Sequence, residues 1–463
     1  MKIREILAAL AVSALCGCTD YLDVVPDNIA TIEMAFNNRA NAEKYLATCY
    51  SRIPLYGNQH ENPGLTAGND IWYYTMEDHY FSNTWAFGIA NGLQNVSDPI
   101  NNYWDGIKGG KPLYQAIRDC NIFIENVSDR SRVTDLNETD RRRWIAEAKT
   151  LKAYYHFYLF QLYGPIPIVD VNLPISATEE EVRIKRDKVE IVVNYIVNLI
   201  NEAAEDLPLK IQNEATEMGR LTQPAALAIK AKTLLLAASP LFNGNTDYAN
   251  FKDWDGEPYF PQEYSSNKWK LAAEANKAVI DMGIYDLYKA YATNGSIDPY
   301  KSYAGIYLEL WNNEVIFGRA LSGKDWRLVT TPRGIGGSSF GGVSATQKMV
   351  DAYAMKSGRY PISGYTNEGK DPIIVESSYS EGKFQTITNP ADGTSYANTN
   401  TMYKDREPRF YFSICWSGEK WKAGSTTVDV QFYNKGNSGP GDSHNYSKTG
   451  YLISKMTDHS LNH

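Results

Sequence analysis

Residues 143–170 read RWIAEAKTLKAYYHFYLFQLYGPIPIVD. The first 21 positions hold neither Gly nor Pro, and Gly164-Pro165 then supplies a stop signal. Pro165 and Pro167 push the residues before them out of the helical region, so Ile166-Pro167-Ile168-Val169 is expected to be extended. The stretch predicts a helix over 140–163 that ends abruptly on a proline-rich turn.

The segments on either side carry the same period. Upstream, Ile117, Cys120, Phe123, Ile124 and Val127 fall at helical spacing, which predicts a helix over 114–127. Another is expected through 42–50, starting near Thr31 or Asn41. Downstream, Thr178 followed by Glu179, Glu180 and Glu181 resembles a helix start, with acidic residues near the positive end. Val189, Val192, Val193, Ile196, Ile200 and Ala203 then form one face of a long helix up to Leu207-Pro208. Thr222-Gln223-Pro224 opens a further helix, nearly free of bulky polar residues, that stops at Ser239-Pro240. Residues 268–282 form an amphipathic helix closed by Gly283. Ala153 and Phe157 match the small-x3-aromatic element of tetratricopeptide repeats, although the spacing is not a strict repeat. The expected class is mainly α: a tetratricopeptide-like scaffold of helical hairpins.

From about Asn294 the texture changes to Gly, Ser, Thr, Tyr and Asn. Residues 320–345 and 357–400 are expected to be long loops with short strands. Residues 410–416 and 428–432 read as strands. Residues 53–105 are irregular and aromatic. Long loops on a helical scaffold are where binding sites tend to sit.

At the N-terminus, Lys2 and Arg4 precede an apolar run over 6–15. That run is shorter than the roughly 20 residues a spanning helix needs, and it fits a secretory segment. Leu15-Cys16-Gly17-Cys18 resembles the bacterial lipobox, with Cys16 at a position that is usually small. The resemblance implies that residues 1–17 are removed and that Cys18 takes a lipid. Each buried methylene of such an anchor contributes about 0.8 kcal/mol of membrane affinity. The formal charge of the 463-residue chain is −8. Phosphate neutralisation needs clustered Lys and Arg, so an acidic body is a poor nucleic-acid binder. Cys49, Cys120 and Cys415 are widely spaced and are expected to be buried or isolated thiols.

Few motifs suggest covalent chemistry. The histidines are scattered, and Glu77-Asp78-His79 reads as a solvated loop, so no metal site is expected. Gly334 to Gly342 is Gly-rich but lacks the Lys-Ser/Thr of a phosphate loop, so no cofactor is expected. A carboxylate pair spaced for glycoside hydrolysis cannot be read from sequence, and the helical body argues against a hydrolase. The 33 Tyr, 10 Trp and 15 Phe point elsewhere. A flat apolar face with a polar edge suits stacking on sugar rings as well as cores and interfaces. The candidates for ligand contact are Trp72, Tyr73, Tyr80 and Trp85 in the first aromatic segment and Trp326 in the second lobe. Asn69, Asp70, Asn83 and Arg327 are their polar neighbours.

The quoted stretch, with Ala-Tyr-Tyr-x-Phe and Leu-Tyr-Gly-Pro-x-Pro, resembles the signature of the SusD/RagB family of outer-membrane nutrient-binding lipoproteins in Bacteroidetes. Further likenesses follow in order: Gly219-Arg220-Leu221-Thr222, Ser239-Pro240-Leu241-Phe242, the run from Thr346 to Tyr353, and Lys404-Asp405-Arg406-Glu407-Pro408-Arg409-Phe410. The tether at 23–26 and the stretch 33–50 look like the family's N-terminus. The resemblance implies a SusD-like helical N-terminal region over 18–225, further scaffold over 226–293 and a loop-rich RagB/SusD region over 294–463. It implies a protein lipid-anchored at the outer membrane, exposed at the cell surface over a SusC-like TonB-dependent transporter. Its ligand would be a glycan or, in the alternative reading, a peptide or protein, and it would not be an enzyme. Family members continue past the position of residues 450–455 into a last helix. On that resemblance the chain is expected to be truncated.

Overall fold

The computed structural model describes residues 32–58, 62–73, 85–107, 110–319, 324–335, 339–390, 393–441, 445–455 and 457–458. Its helical part runs through α1 (Arg39–Ser51), α2 (Leu113–Ser128), α3 (Glu138–Tyr163), α4 (Val189–Ala204), α5 (Gln223–Ala238) and α6 (Ser266–Asp281). Consecutive members pack on one another from α2 to α6, and α1 lies against α2 and α3. Among the described residues, no helix is long and apolar enough to cross a membrane.

α3, the quoted stretch, is the central helix. Asn137 caps it by accepting from the Asp140 amide at 2.8 Å. From Trp144 to Phe160 it is buried on nearly every side. A helix buried on nearly every side shows no single apolar stripe, which is why its period alone did not show which face packs. α2 packs against it through Leu113, Ile117, Cys120, Phe123 and Val127, all fully buried. Each large apolar side chain contributes about 1.5–3 kcal/mol by leaving water.

The turn after α3 is held from several directions. Gly164 has φ +69°, a conformation that side chains disfavour. The Pro165 carbonyl accepts from Arg186 and the Ile166 carbonyl from the Asp187 amide. The Tyr114 hydroxyl donates to the Pro167 carbonyl at 3.1 Å. Lys152, almost fully buried on α3, donates to the Asp170 carboxylate at 3.0 Å, and Tyr195 donates to the same oxygen at 2.8 Å.

Helix starts follow cap chemistry. Thr178 forms a full capping box with Glu181, but it opens only the short helix Glu179–Val182, and α4 begins afresh at Val189. Thr222 caps α5, with Pro224 in its first turn. Cys49, Cys120 and Cys415 are buried free thiols.

The second half has its own core of Val329, Val343, Val350, Phe410, Tyr411 and Trp416, joined by Ile71 from the first half. Around it stand two-stranded antiparallel pairs. β1 (Ile71–Tyr73) pairs with β2 (Val343–Ala345). β3 (Ile362–Thr366) pairs with β4 (Asp371–Ile374), and β5 (Phe384–Thr388) with β6 (Ser395–Asn400). β7 (Ile414–Cys415) pairs with β10 (Leu452–Ile453), and β8 (Lys420–Ala423) with β9 (Thr426–Asp429). The short helix α7 (Lys324–Thr330) stands where a loop was expected, and a second short helix, α8 (Gln347–Asp351), follows β2.

The strand expected over 410–416 is mostly helix, Pro408–Ser413, with only Ile414–Cys415 extended. Pro408 sits in the first turn, and Phe410, Tyr411, Phe412 and Ser413 are all buried. A short, wholly apolar run carries no period that separates a buried helix from a strand. The strand expected over 428–432 ends at Asp429. Arg406, fully buried, explains the charged motif before that helix. Its guanidinium donates to the Val350 carbonyl and lies over the Phe410 and Tyr379 rings at 5.1 and 5.6 Å.

Candidate functional site

The first aromatic segment is stitched into the second lobe. In β1–β2 the register is Ile71↔Ala345, Trp72↔Ser344 and Tyr73↔Val343. Side chains alternate along a strand, so burying Ile71 in the second core turns Trp72 to the other face. Ile71 is 7% exposed and Trp72 37% exposed. Thr346 closes the register from the far side. Its amide donates to the Asp70 carbonyl at 3.0 Å and its hydroxyl to the Asn69 carbonyl at 2.7 Å. The same hydroxyl oxygen accepts from the Met349 amide at 3.2 Å, capping α8. Asn69 and Asp70 keep their side chains exposed.

Trp326 reaches the area from α7, which packs on β2. Its ring is partly buried against the second core, the cluster that also holds Ile71. The indole N–H donates to the Gly57 carbonyl. That carbonyl belongs to a loop anchored on the helical scaffold. The neighbouring Tyr56 ring meets Tyr158 of α3 edge-on at 5.6 Å, and the Lys232 ammonium of α5 lies 4.8 Å from its centre. Burial lowers the Lys232 pKa. Arg327, beside Trp326, is half-buried.

Asn69, Asp70 and Trp72 therefore share one seam with the helix that carries Trp326 and Arg327. Tyr73 lies in β1, and Trp85 opens the short helix Trp85–Ala90. Tyr80, Asn83 and Cys18 lie outside the described residues, as do Glu77-Asp78-His79. Among the described residues, no group of three or more His, Cys, Asp or Glu is gathered for a metal ion. Of the residues that build this seam, Gly57 carries no signal of its own, and Thr346 only that of opening a family motif. Nothing in the local pattern near 346 names a partner 277 positions away.

Packed helical hairpins, a loop-rich lobe and an aromatic seam between them define a SusD-like scaffold. Comparison with known proteins bears this out. A family described as "Starch-binding associating with outer membrane" matches residues 20–235, and one described as "SusD family" matches residues 310–463. A SusD-like protein of Bacteroides ovatus is 24% identical over 247 residues, 53% of this chain and 41% of that protein. The match thus spans less than half the length of that relative. Among solved structures, BT4246 superposes with a TM-score of 0.69 at 22% identity, covering 91% of this chain and 73% of that one. A SusD-like protein of Bacteroides fragilis gives 0.62 at 20% identity, with 95% and 71% covered. A second B. fragilis protein, described as a SusD-like carbohydrate binding protein, gives 0.56 at 18%, with 92% and 69% covered. At these identities the structures share the fold. The chain belongs to the SusD/RagB family.

Proposed function

We propose that the protein captures glycans at the outer-membrane surface and delivers them to a SusC-like TonB-dependent transporter. The observation that carries the binding half of this reading is the β1–β2 seam. It holds Trp72 partly exposed, beside the exposed Asn69 and Asp70. An indole face gives a sugar ring an apolar platform, and side-chain amides and carboxylates satisfy its hydroxyls. The starch-binding, outer-membrane description of the matching family supports the same reading. Trp326 and Arg327, on the helix that packs against β2, are further contacts, together with Tyr73, Tyr80, Asn83 and Trp85. Anchoring rests on the N-terminal sequence, where Cys18 follows a basic start and an apolar run. No covalent step is assigned to the site.

Calorimetric titration with maltohexaose, laminarihexaose and xylohexaose tests the binding half. Trp72→Ala and Trp326→Ala are expected to weaken the preferred ligand by about tenfold or more each, or 1.4 kcal/mol. Unchanged affinity in both variants would refute the platform. Radiolabelled palmitate should label the wild type in a lipoprotein-competent host and fail to label Cys18→Ser. Affinity capture from outer membranes should recover a TonB-dependent transporter.

A further inference from the structure

A second concavity lies in the loop-rich lobe, between α8 and the β3–β4 hairpin. It encloses about 550 Å³, within the roughly 300–1,000 Å³ range of small-molecule pockets. It uses none of the seam residues. Asp351 forms its base and is 4% exposed. Its carboxylate accepts from the Gln347 amide at 2.8 Å, the Tyr365 hydroxyl at 2.6 Å and the Tyr379 hydroxyl at 3.3 Å. The single Tyr379 hydroxyl proton is shared with the Glu381 carboxylate, 3.1 Å away, and the buried Arg406 guanidinium backs the ring. The base is thus a rigid hydrogen-bonded network with its polar atoms largely committed.

The rim is different. Lys348, Lys370 and Glu381 line it and are exposed, and Tyr365 presents a ring that is 37% exposed. The lining holds two lysines and two carboxylates in formal balance, with the Lys370 ammonium paired to Glu368 at 3.5 Å. It offers donors and acceptors side by side, next to an aromatic face. Sugar hydroxyls both donate and accept, and pyranose C–H faces are apolar. We infer that this concavity is a second sugar-binding pocket, for a neutral pyranose. The inference rests on the glycan-binding reading above and adds a site to it.

The test is titration of the Trp72→Ala/Trp326→Ala protein with maltohexaose, laminarihexaose and xylohexaose, with oligogalacturonide as the charged probe. Residual binding of a neutral oligosaccharide is expected. Adding Lys348→Ala and Lys370→Ala, rim changes outside the Asp351 network, should remove it, a loss of about tenfold or more. The melting temperature should not move. Loss of all binding in the seam variant alone would overturn the second pocket and leave the glycan reading standing. Residual binding that prefers oligogalacturonide would overturn the neutral-ligand assignment. A wild-type protein that binds none of the four would overturn both.

Discussion

Arg220 meets Glu147 through two arms of its guanidinium, at 2.9 and 3.1 Å, and Glu147 is fully buried in the middle of α3. The Tyr50 hydroxyl donates to the same carboxylate at 2.6 Å and accepts from the Leu221 amide at 2.9 Å. Arg143, one turn earlier on α3, lies 3.1 Å away. One carboxylate thus ties α1, α3 and the loop before α5 together. Burial pushes the Glu147 carboxyl above its ordinary range, even with two guanidiniums beside it.

Removing one partner strands the other, so Arg220→Ala or Glu147→Leu should each cost about 3–5 kcal/mol. Replacing both, Glu147→Leu with Arg220→Met, should cost less than either alone. Urea denaturation of the three variants checks this. Additive losses would mean that the pair is not the unit.

His156 makes stability depend on pH. Its Nδ1–H donates to the Lys152 carbonyl at 2.8 Å, and Nε2 accepts from the Val169 amide at 3.3 Å. Burial lowers its pKa to about 4, from 6.5. A depressed folded pKa means that the unfolded chain binds the proton first. Stability should therefore fall as pH drops from 6.5 through 4, by up to about 3 kcal/mol. His156→Gln should flatten that slope. An unchanged slope between pH 7 and 4.5 would remove His156 from the account.

Gly164→Ala should destabilise the turn that ends α3. The backbone there has φ +69°, and an added Cβ would lie 3.0 Å from the Phe260 ring edge. That ring stacks on Phe242 and Tyr248 at 5.6 and 4.4 Å, which limits its retreat. The cost should be about 1–3 kcal/mol. Thermal melting reads it directly, and a Tm within error of wild type would contradict the strained geometry.

Thr346→Val keeps the branched shape and removes the oxygen that holds Asn69 and caps α8. Stability should fall by about 1–2 kcal/mol. Oligosaccharide affinity should fall several-fold although Thr346 is not a proposed ligand contact, because the register of Trp72 loosens. Full affinity with reduced stability would show that the seam does not position the platform.

Much of the scaffold was legible because its signals are local. Thr178 and Thr222 act as caps within three residues of themselves, and Gly164 stops a helix at its own position. The 3.6-residue period of α2 survives because one face stays wet. Residues 410–416 misled because every side chain there is buried, and burial erases the period. The aromatic candidates were readable as residue types, but not as a group.

By itself the sequence determined the helical class, the order of the helices, the basic start and apolar run before Cys18, and the ordered motifs of the family. Each depends on neighbours within a few turns. Only the tertiary structure decided that Ile71 crosses into the second core, turning Trp72 outward, and that Asp351 gathers two tyrosines from the β3–β4 hairpin and beyond. Those contacts join positions from 14 to 277 residues apart. They form because burying an apolar side chain or pairing a polar one stabilises whichever partner the fold brings near, and no local pattern names that partner in advance.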